Sequence, residues 1–221
     1  MLEAQRAEHG ISHSARNMRM AIEEFDFAPR LSSARIDLRP IVPADREPLY
    51  AVAADPLIWE VHPSARWQRP MFDAFFDEAL AEGGGLIVHD KAEDGATGAM
   101  IGSSRYSKRW CEPGEVEIGW SFLARTYWGG GTNRDLKGTM LAHAFRYVDT
   151  VIFRVGIHNI RSRRAMEKIG GIEVRRWFHP TSADVVEHVV FAIKKQGILT
   201  DFLEKTPEIF DSVTEDLSIR Y

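Results

Sequence analysis

YWGGGTNRDLKGTMLAHAF, Tyr127–Phe145, and HNIRSRRAMEKIGG, His158–Gly171, are the two stretches whose reading decides the fold. The first is a glycine-rich turn that opens a helix, whose apolar stripe is Leu136, Met140, Leu141, Ala144, Phe145 and Val148. The second starts at an Asn, runs as a helix over Arg161–Ile169 and stops at Gly170-Gly171. Between them Val151–Val155, VIFRV, reads as a short buried strand. A helix start presents unpaired N–H groups and the positive end of the helix dipole, and glycines let an anion approach. The turn Gly129-Gly130-Gly131 is therefore suited to a pyrophosphate. It lacks the Gly-Lys-Ser/Thr of a P-loop and the spacing of a dinucleotide fingerprint. A second reading is open at this point: a tight turn with Thr132 as N-cap and Asp135 completing a capping box.

Working outward, Leu31–Pro40 reads as a first strand, and Pro43-Ala44-Asp45 starts a helix carrying Leu49, Val52 and Ala53. Pro70–Ala81 reads as a second helix, with Phe72, Phe75, Phe76 and Leu80 at helical spacing and Gly83-Gly84-Gly85 as its stop. Leu86–His89 and Ala99–Tyr106 read as strands around a turn at Glu93–Gly98. Glu115–Leu123 reads as another, with Val116, Ile118 and Trp120 on one face and Glu115 and Glu117 on the other. Ile172–Phe178 and Val185–Ile193 read as a closing hairpin. Interleaved helices and strands imply an α/β (mixed α+β) fold with one sheet covered by helices. Residues 1–30 read as an appendage, with Met18 and Met20 as alternative starts, 31–195 as the domain, and 196–221 as a C-terminal extension.

Composition bounds the function. The chain has 221 residues, 44% hydrophobic and 27% charged, as in an ordinary soluble domain. A net charge of -4 gives no general case for nucleic acid or an anionic membrane. The single cysteine, Cys111, excludes an intrachain disulfide and fits a reducing cytoplasm. No apolar run approaches the roughly 20 residues of a membrane span. His62 and His158 lack metal-ligand spacing, so no metal is expected. The cluster Arg161, Arg163, Arg164 reads as a solvated helix face, with one member available to a phosphate.

The same segments resemble the GNAT superfamily of acetyl-CoA-dependent N-acetyltransferases, nearest to its branch of ribosomal-protein N-terminal acetyltransferases. The likeness spans about residues 31–195 and rests on IDLRPIVPADREPLY, EIGWSFL, the Tyr-Trp-Gly turn and NIRSRRAMEKIGG. The last carries the family's Asn, then Ser three residues on, then Glu-Lys-x-Gly, here Asn159, Ser162, Glu167, Lys168 and Gly170. The resemblance implies a mostly antiparallel sheet of about seven strands flanked by about four helices. It implies acetyl-CoA as cosubstrate and an amine acceptor, either a protein N-terminus or a small amine. It places the cofactor against Phe122, Leu123, Trp128, Gly129, Gly130, Gly131, Thr132, Asn133, Arg134, Lys137, Asn159 and Ser162. It assigns to Phe122 and Leu123 the backbone N–H that polarises the thioester. Glu117 is the candidate base and Ser162 the contact to sulfur.

Two departures stand out. Asn133 occupies the position of a small residue in the family's turn, and Met166 that of its common tyrosine. The resemblance assigns the acceptor to the region of Trp59, Glu60, His62 and Pro63; Glu115 and Glu117 read otherwise as solvated carboxylates. An α-amino group has pKa about 8 and a lysine about 10.4, a difference worth roughly 3 kcal/mol, so an α-amine needs less help from a base. The expected function is direct acetyl transfer in a ternary complex; the other reading is a CoA-binding module without transfer. The C-terminal segment, with Phe202, Leu203, Ile209 and Phe210, is expected to cover an edge or a second copy, so a homodimer is one expectation.

Overall fold

The computed structural model describes residues 25–62, 64–92, 94–179 and 186–196. Pro63 and the expectations for the two chain extensions, including Phe202 and Phe210, lie outside them. One eight-stranded sheet runs in the order β1-β2-β3-β4-β5-β6-β8-β7. Its strands are β1 Leu31–Ser32, β2 Ile36–Pro40, β3 Gly85–Lys91, β4 Thr97–Ser107, β5 Glu115–Leu123, β6 Thr150–Gly156, β7 Ile172–Phe178 and β8 Glu187–Lys194. Every neighbouring pair is antiparallel except β5 and β6. The expected single strand at Leu31–Pro40 is in fact two. Ser33 donates its N–H to the Ile36 carbonyl at 2.9 Å, which turns the chain back on itself, and the count rises to eight.

Four α-helices cover the sheet: α1 Arg46–Ala53, α2 Arg69–Glu82, α3 Thr132–Ala144 and α4 Ile160–Lys168. On one face, Leu49 and Ala53 of α1 and Phe72, Phe75 and Phe76 of α2 pack over Ile87 and Phe122. On the other, Leu136, Met140, Leu141 and Ala144 of α3 join Met166 and Ile169 over Leu86, Val88, Val116 and Ile118. Phe25 completes this second core: it is buried, lies 5.2 Å from the Tyr106 ring, and its neighbour Asp26 offers its carbonyl to His143 Nε2 at 2.8 Å.

The feature that shapes the function lies at the centre of the sheet. β5 and β6 pair in parallel only at Glu115–Thr150, Val116–Val151 and Glu117–Ile152. Both strands continue, β5 to Leu123 and β6 to Gly156, without further pairing, so the sheet opens there like a V. A break in register opposite Ser104 bulges β5, and Trp120 at the bulge has φ of 53°, in the left-handed region that a non-glycine residue rarely adopts. The extra residue reverses the alternation. Trp120 leaves the side of Val116 and Ile118 and packs with the α1–α2 cluster, under the Arg105 guanidinium at 4.6 Å. The two-residue period that placed it with Val116 fails at the bulge.

Candidate active site

The opening between β5 and β6 is a cleft of about 590 Å³. β5 lines it with Glu117–Ser121 and β6 with Phe153–Gly156. α3 contributes Asn133 and Lys137, α4 contributes Asn159, Ser162 and Met166, and the connection between α1 and α2 contributes His62, Ser64 and Arg66.

Glu117 and Glu115 are both buried rather than solvated, which corrects the surface reading of that strand face. Glu115 receives two hydrogen bonds from Arg175, at 3.0 and 2.7 Å, and this pairing outweighs burial to hold its carboxyl below the usual range. It does not line the cleft. Glu117 does, and it is hydrogen-bonded and ion-paired to Arg154, itself buried. Burial pushes the Glu117 carboxyl up to about 7, against the pull of Arg154. A carboxylate with that value accepts a proton near neutral pH.

Arg154 sits in the middle of VIFRV, a run that reads as simply apolar. A lone arginine inside a buried strand demands a partner, and that demand is the signal that would have pointed to Glu117. Ser121 was also missed: it accepts a hydrogen bond from Lys137 Nζ and shares one with Ser104 Oγ at 2.7 Å. Lys137 is buried, 5.5 Å from the Phe153 ring centroid, and has no carboxylate partner among the described residues. Burial lowers it to about 7.

Asn159 and Ser162 both reach the cleft. Asn159 Oδ1 accepts the Ser162 N–H at 3.1 Å and so caps α4, leaving the Asn159 amide N–H groups unused by the cap. At α3 the capping residue is Gly131, not Thr132, and no side chain caps the helix, which replaces the expected capping box. Gly131 has φ of 93°, and a Cβ there would lie 2.6 Å from Arg35 Nη1. Around Gly129 and Gly130 a Cβ would meet nothing within 4 Å, so the space before α3 is open.

The remaining expected residues sit outside the cleft lining. Phe122 is in the aromatic cluster, 5.0 Å from Trp59, and Leu123 is in the larger core. The Leu123 carbonyl accepts the Trp128 indole N–H at 3.0 Å. In an antiparallel strand a residue's N–H and C=O share a side, so the Leu123 N–H also faces away from β4. Trp128 lies under the Arg161 guanidinium at 4.0 Å, and Arg161 reaches the Ile58 carbonyl at 3.1 Å, so that arginine is not simply solvated. Thr132 is buried and Arg134 exposed. In the region expected to take the acceptor, Trp59 is core, Glu60 is exposed, and His62 is in the lining. His158 is exposed, and burial raises the Cys111 thiol to about 12, leaving it unreactive. Among the described residues no cluster of His, Cys, Asp or Glu could hold a metal ion, and no helix is long and apolar enough to cross a membrane.

Among the described residues the sheet thus opens between its one parallel pair of strands, with a bulge on one and a glycine turn after it. The profile of the acetyltransferase (GNAT) domain covers residues 35–172. The chain belongs to the GNAT acetyltransferases. Solved structures of that fold include an acetyltransferase from Agrobacterium tumefaciens str. C58, 23% identical over 76% of this chain and 95% of its own, TM-score 0.55. A GNAT acetyltransferase from Bacillus anthracis is 17% identical over 76% of this chain and 99% of its own, TM-score 0.61. Mycobacterium smegmatis RimJ, in complex with CoA-disulfide, is 16% identical over 81% of this chain and 94% of its own, TM-score 0.58. No curated protein matches the sequence. Acetyl transfer is thus the reaction class, and the GNAT fold expected from the sequence is the fold observed, with eight strands and four α-helices among the described residues.

Proposed function

We propose that the protein is an N-acetyltransferase that moves the acetyl group of acetyl-CoA directly to a primary amine, both held in the β5–β6 cleft. The observation that carries this reading is the unpaired opening of the sheet beside a buried carboxylate, Glu117. A CoA complex of a neighbour of the same fold, RimJ, supports the choice of cosubstrate.

The residues present fit such a cosubstrate. The open space at Gly129–Gly131 and the uncapped N–H groups of α3 suit a pyrophosphate, and Asn133 and Lys137 extend that donor set into the cleft. When bound, acetyl-CoA supplies an acetyl group activated as a thioester. The Leu123 N–H, on the open side of β5, is the donor available to a carbonyl oxygen. Ser162 presents a hydroxyl from α4, on the side assigned to sulfur. Glu117 takes the proton that the amine must lose, and Arg154 fixes its carboxylate. Holding both reactants in one cleft removes much of the entropic barrier. The lone, half-buried cysteine is consistent with a cytoplasmic protein.

A base must be deprotonated to work, so Glu117 contributes above pH about 7 and is lost as pH falls through that value. Dividing wild-type kcat/KM by that of Glu117→Gln at each pH cancels the acceptor's own ionisation. The ratio should rise from near one at low pH to a plateau about 10²-fold or higher, with its midpoint near 7. Because the variant leaves Arg154 buried without its partner, melting curves must first establish that it is folded at the assay temperature. A ratio flat across pH removes Glu117 from proton transfer.

A further inference from the structure

Two of the cations that line the cleft have no carboxylate partner among the described residues. Lys137 is on the α3 side, where the cofactor-binding elements lie. The other is Arg66, in the connection between α1 and α2, on the opposite side. The carboxylates of the lining are already engaged: Glu117 by Arg154, and Glu78 by Arg105 at 3.2 Å and Arg109 at 3.1 Å.

Arg66 is held in place by aromatic rings. Its guanidinium carbon lies 4.7 Å from the Phe75 centroid and 5.5 Å from that of Trp59. Burial, and next the charge of Arg105, lower its pKa to about 10. The neighbouring His62 cannot share the charge, because burial and Arg66 push it down to about 3 and keep it neutral. The charge of Glu78 pulls the other way, without an ion pair between the two. A partly buried cation without an ion-paired carboxylate is costly, and ring stacking offsets only part of the cost. A guanidinium offers a planar fork of donors that matches a carboxylate.

We propose that Arg66 receives a carboxylate of the acceptor, so that the acceptor is an amine bearing a carboxylate: a free amino acid, or a peptide with an acidic residue at its start. The inference rests on the acetyl-transfer reading and supplies its substrate class. Arg66 binds the anion while Glu117, across the same cleft, faces the amine.

The test is calorimetric binding to the full-length protein with CoA present, which needs no turnover. The probes are the free amino acids against their α-amides, and short peptides beginning with Asp or Glu against the same peptides beginning with Asn or Gln. At least one acid should bind about 10- to 100-fold more tightly than its uncharged counterpart, the range for hydrogen bonds to a charged group. A preference among the free compounds identifies a small acceptor; one confined to the peptides identifies a protein N-terminus. Arg66→Met should bring the acid-to-amide ratio towards one, and Arg66→Lys should restore part of it. If Arg66→Met does not fold, the wild-type comparison and Arg66→Lys still decide. No acid outbinding its amide, or Arg66→Met weakening both members of a pair equally, overturns the proposal. Acid-selective binding without any acetylated product would instead overturn the transfer reading and leave the carboxylate site standing.

Discussion

Lys137 is a cation with no ion-pair partner among the described residues, enclosed by α3, β5 and β6 and hydrogen-bonded to a serine hydroxyl. Its folded pKa of about 7 lies below the ordinary value of 10.5, so between those values the unfolded chain binds more protons than the folded one. Its contribution to stability is therefore present above pH 10.5 and lost as pH falls through 7. Lys137→Met removes that loss. The stability difference, variant minus wild type, should be more positive at pH 6 than at pH 10, measured by denaturant unfolding at both. Affinity for CoA should fall in the same variant, because its donor is gone. A stability difference that is the same at both pH values would mean that the lysine is charged in the folded state throughout. Buried charges of this kind were the least legible residues in the sequence. Periodicity sorts positions into faces, and it passes over Arg154, Arg105 and Arg66, each of which breaks an apolar pattern or falls in a loop.

At the scale of elements, two strands were legible to the residue, one of them despite its bulge. Glu115–Leu123 and Ile172–Phe178 have the bounds read from the sequence, and the helices α2 and α4 differ by about a residue at each end. Two things were not legible. The hairpin at Ser33 is too short to interrupt a pattern, and the bulge at Trp120 leaves no mark in composition because it lies in backbone geometry. The glycine turn was legible as a turn, and of its two readings the one with Thr132 as cap does not hold. Thr132 fits the statistics of an N-cap, whereas the positive φ falls on Gly131. This geometry also selects the variant that tests the turn. Gly131 is strained for any side chain and crowded by Arg35, so a substitution there confounds stability with binding. Gly130 has neither positive φ nor a neighbour within 4 Å. Gly130→Leu should leave stability within about 0.5 kcal/mol, as for an open surface position, and weaken CoA binding at least about ten-fold. Unchanged CoA affinity would place the phosphates elsewhere.

For the molecule as a whole, the sheet does two jobs with one device. It closes two cores, one under α1 and α2 and one under α3 and α4, and it opens between β5 and β6 to make the cleft. The fold class was legible because two segments, the turn before α3 and the start of α4, flank the same opening. The side of the cleft away from α3 and α4 was not, because it is assembled from the α1–α2 connection, the β4–β5 connection, the end of β7 and the start of β8, which no local pattern links. The core under α3 and α4 also ties the segment before β1 to the rest, through Phe25 against Tyr106.

The central claim is that this cleft transfers an acetyl group rather than only binding a cofactor. Acetyl-CoA turnover, followed by release of free thiol with a panel of amino acids, peptides and simple amines, tests it most directly. Thiol should appear at a rate that depends on the amine, in one-to-one step with acetylated product found by mass spectrometry. Tight binding of acetyl-CoA with no amine-dependent thiol release across the panel would contradict the claim and leave a CoA-binding module.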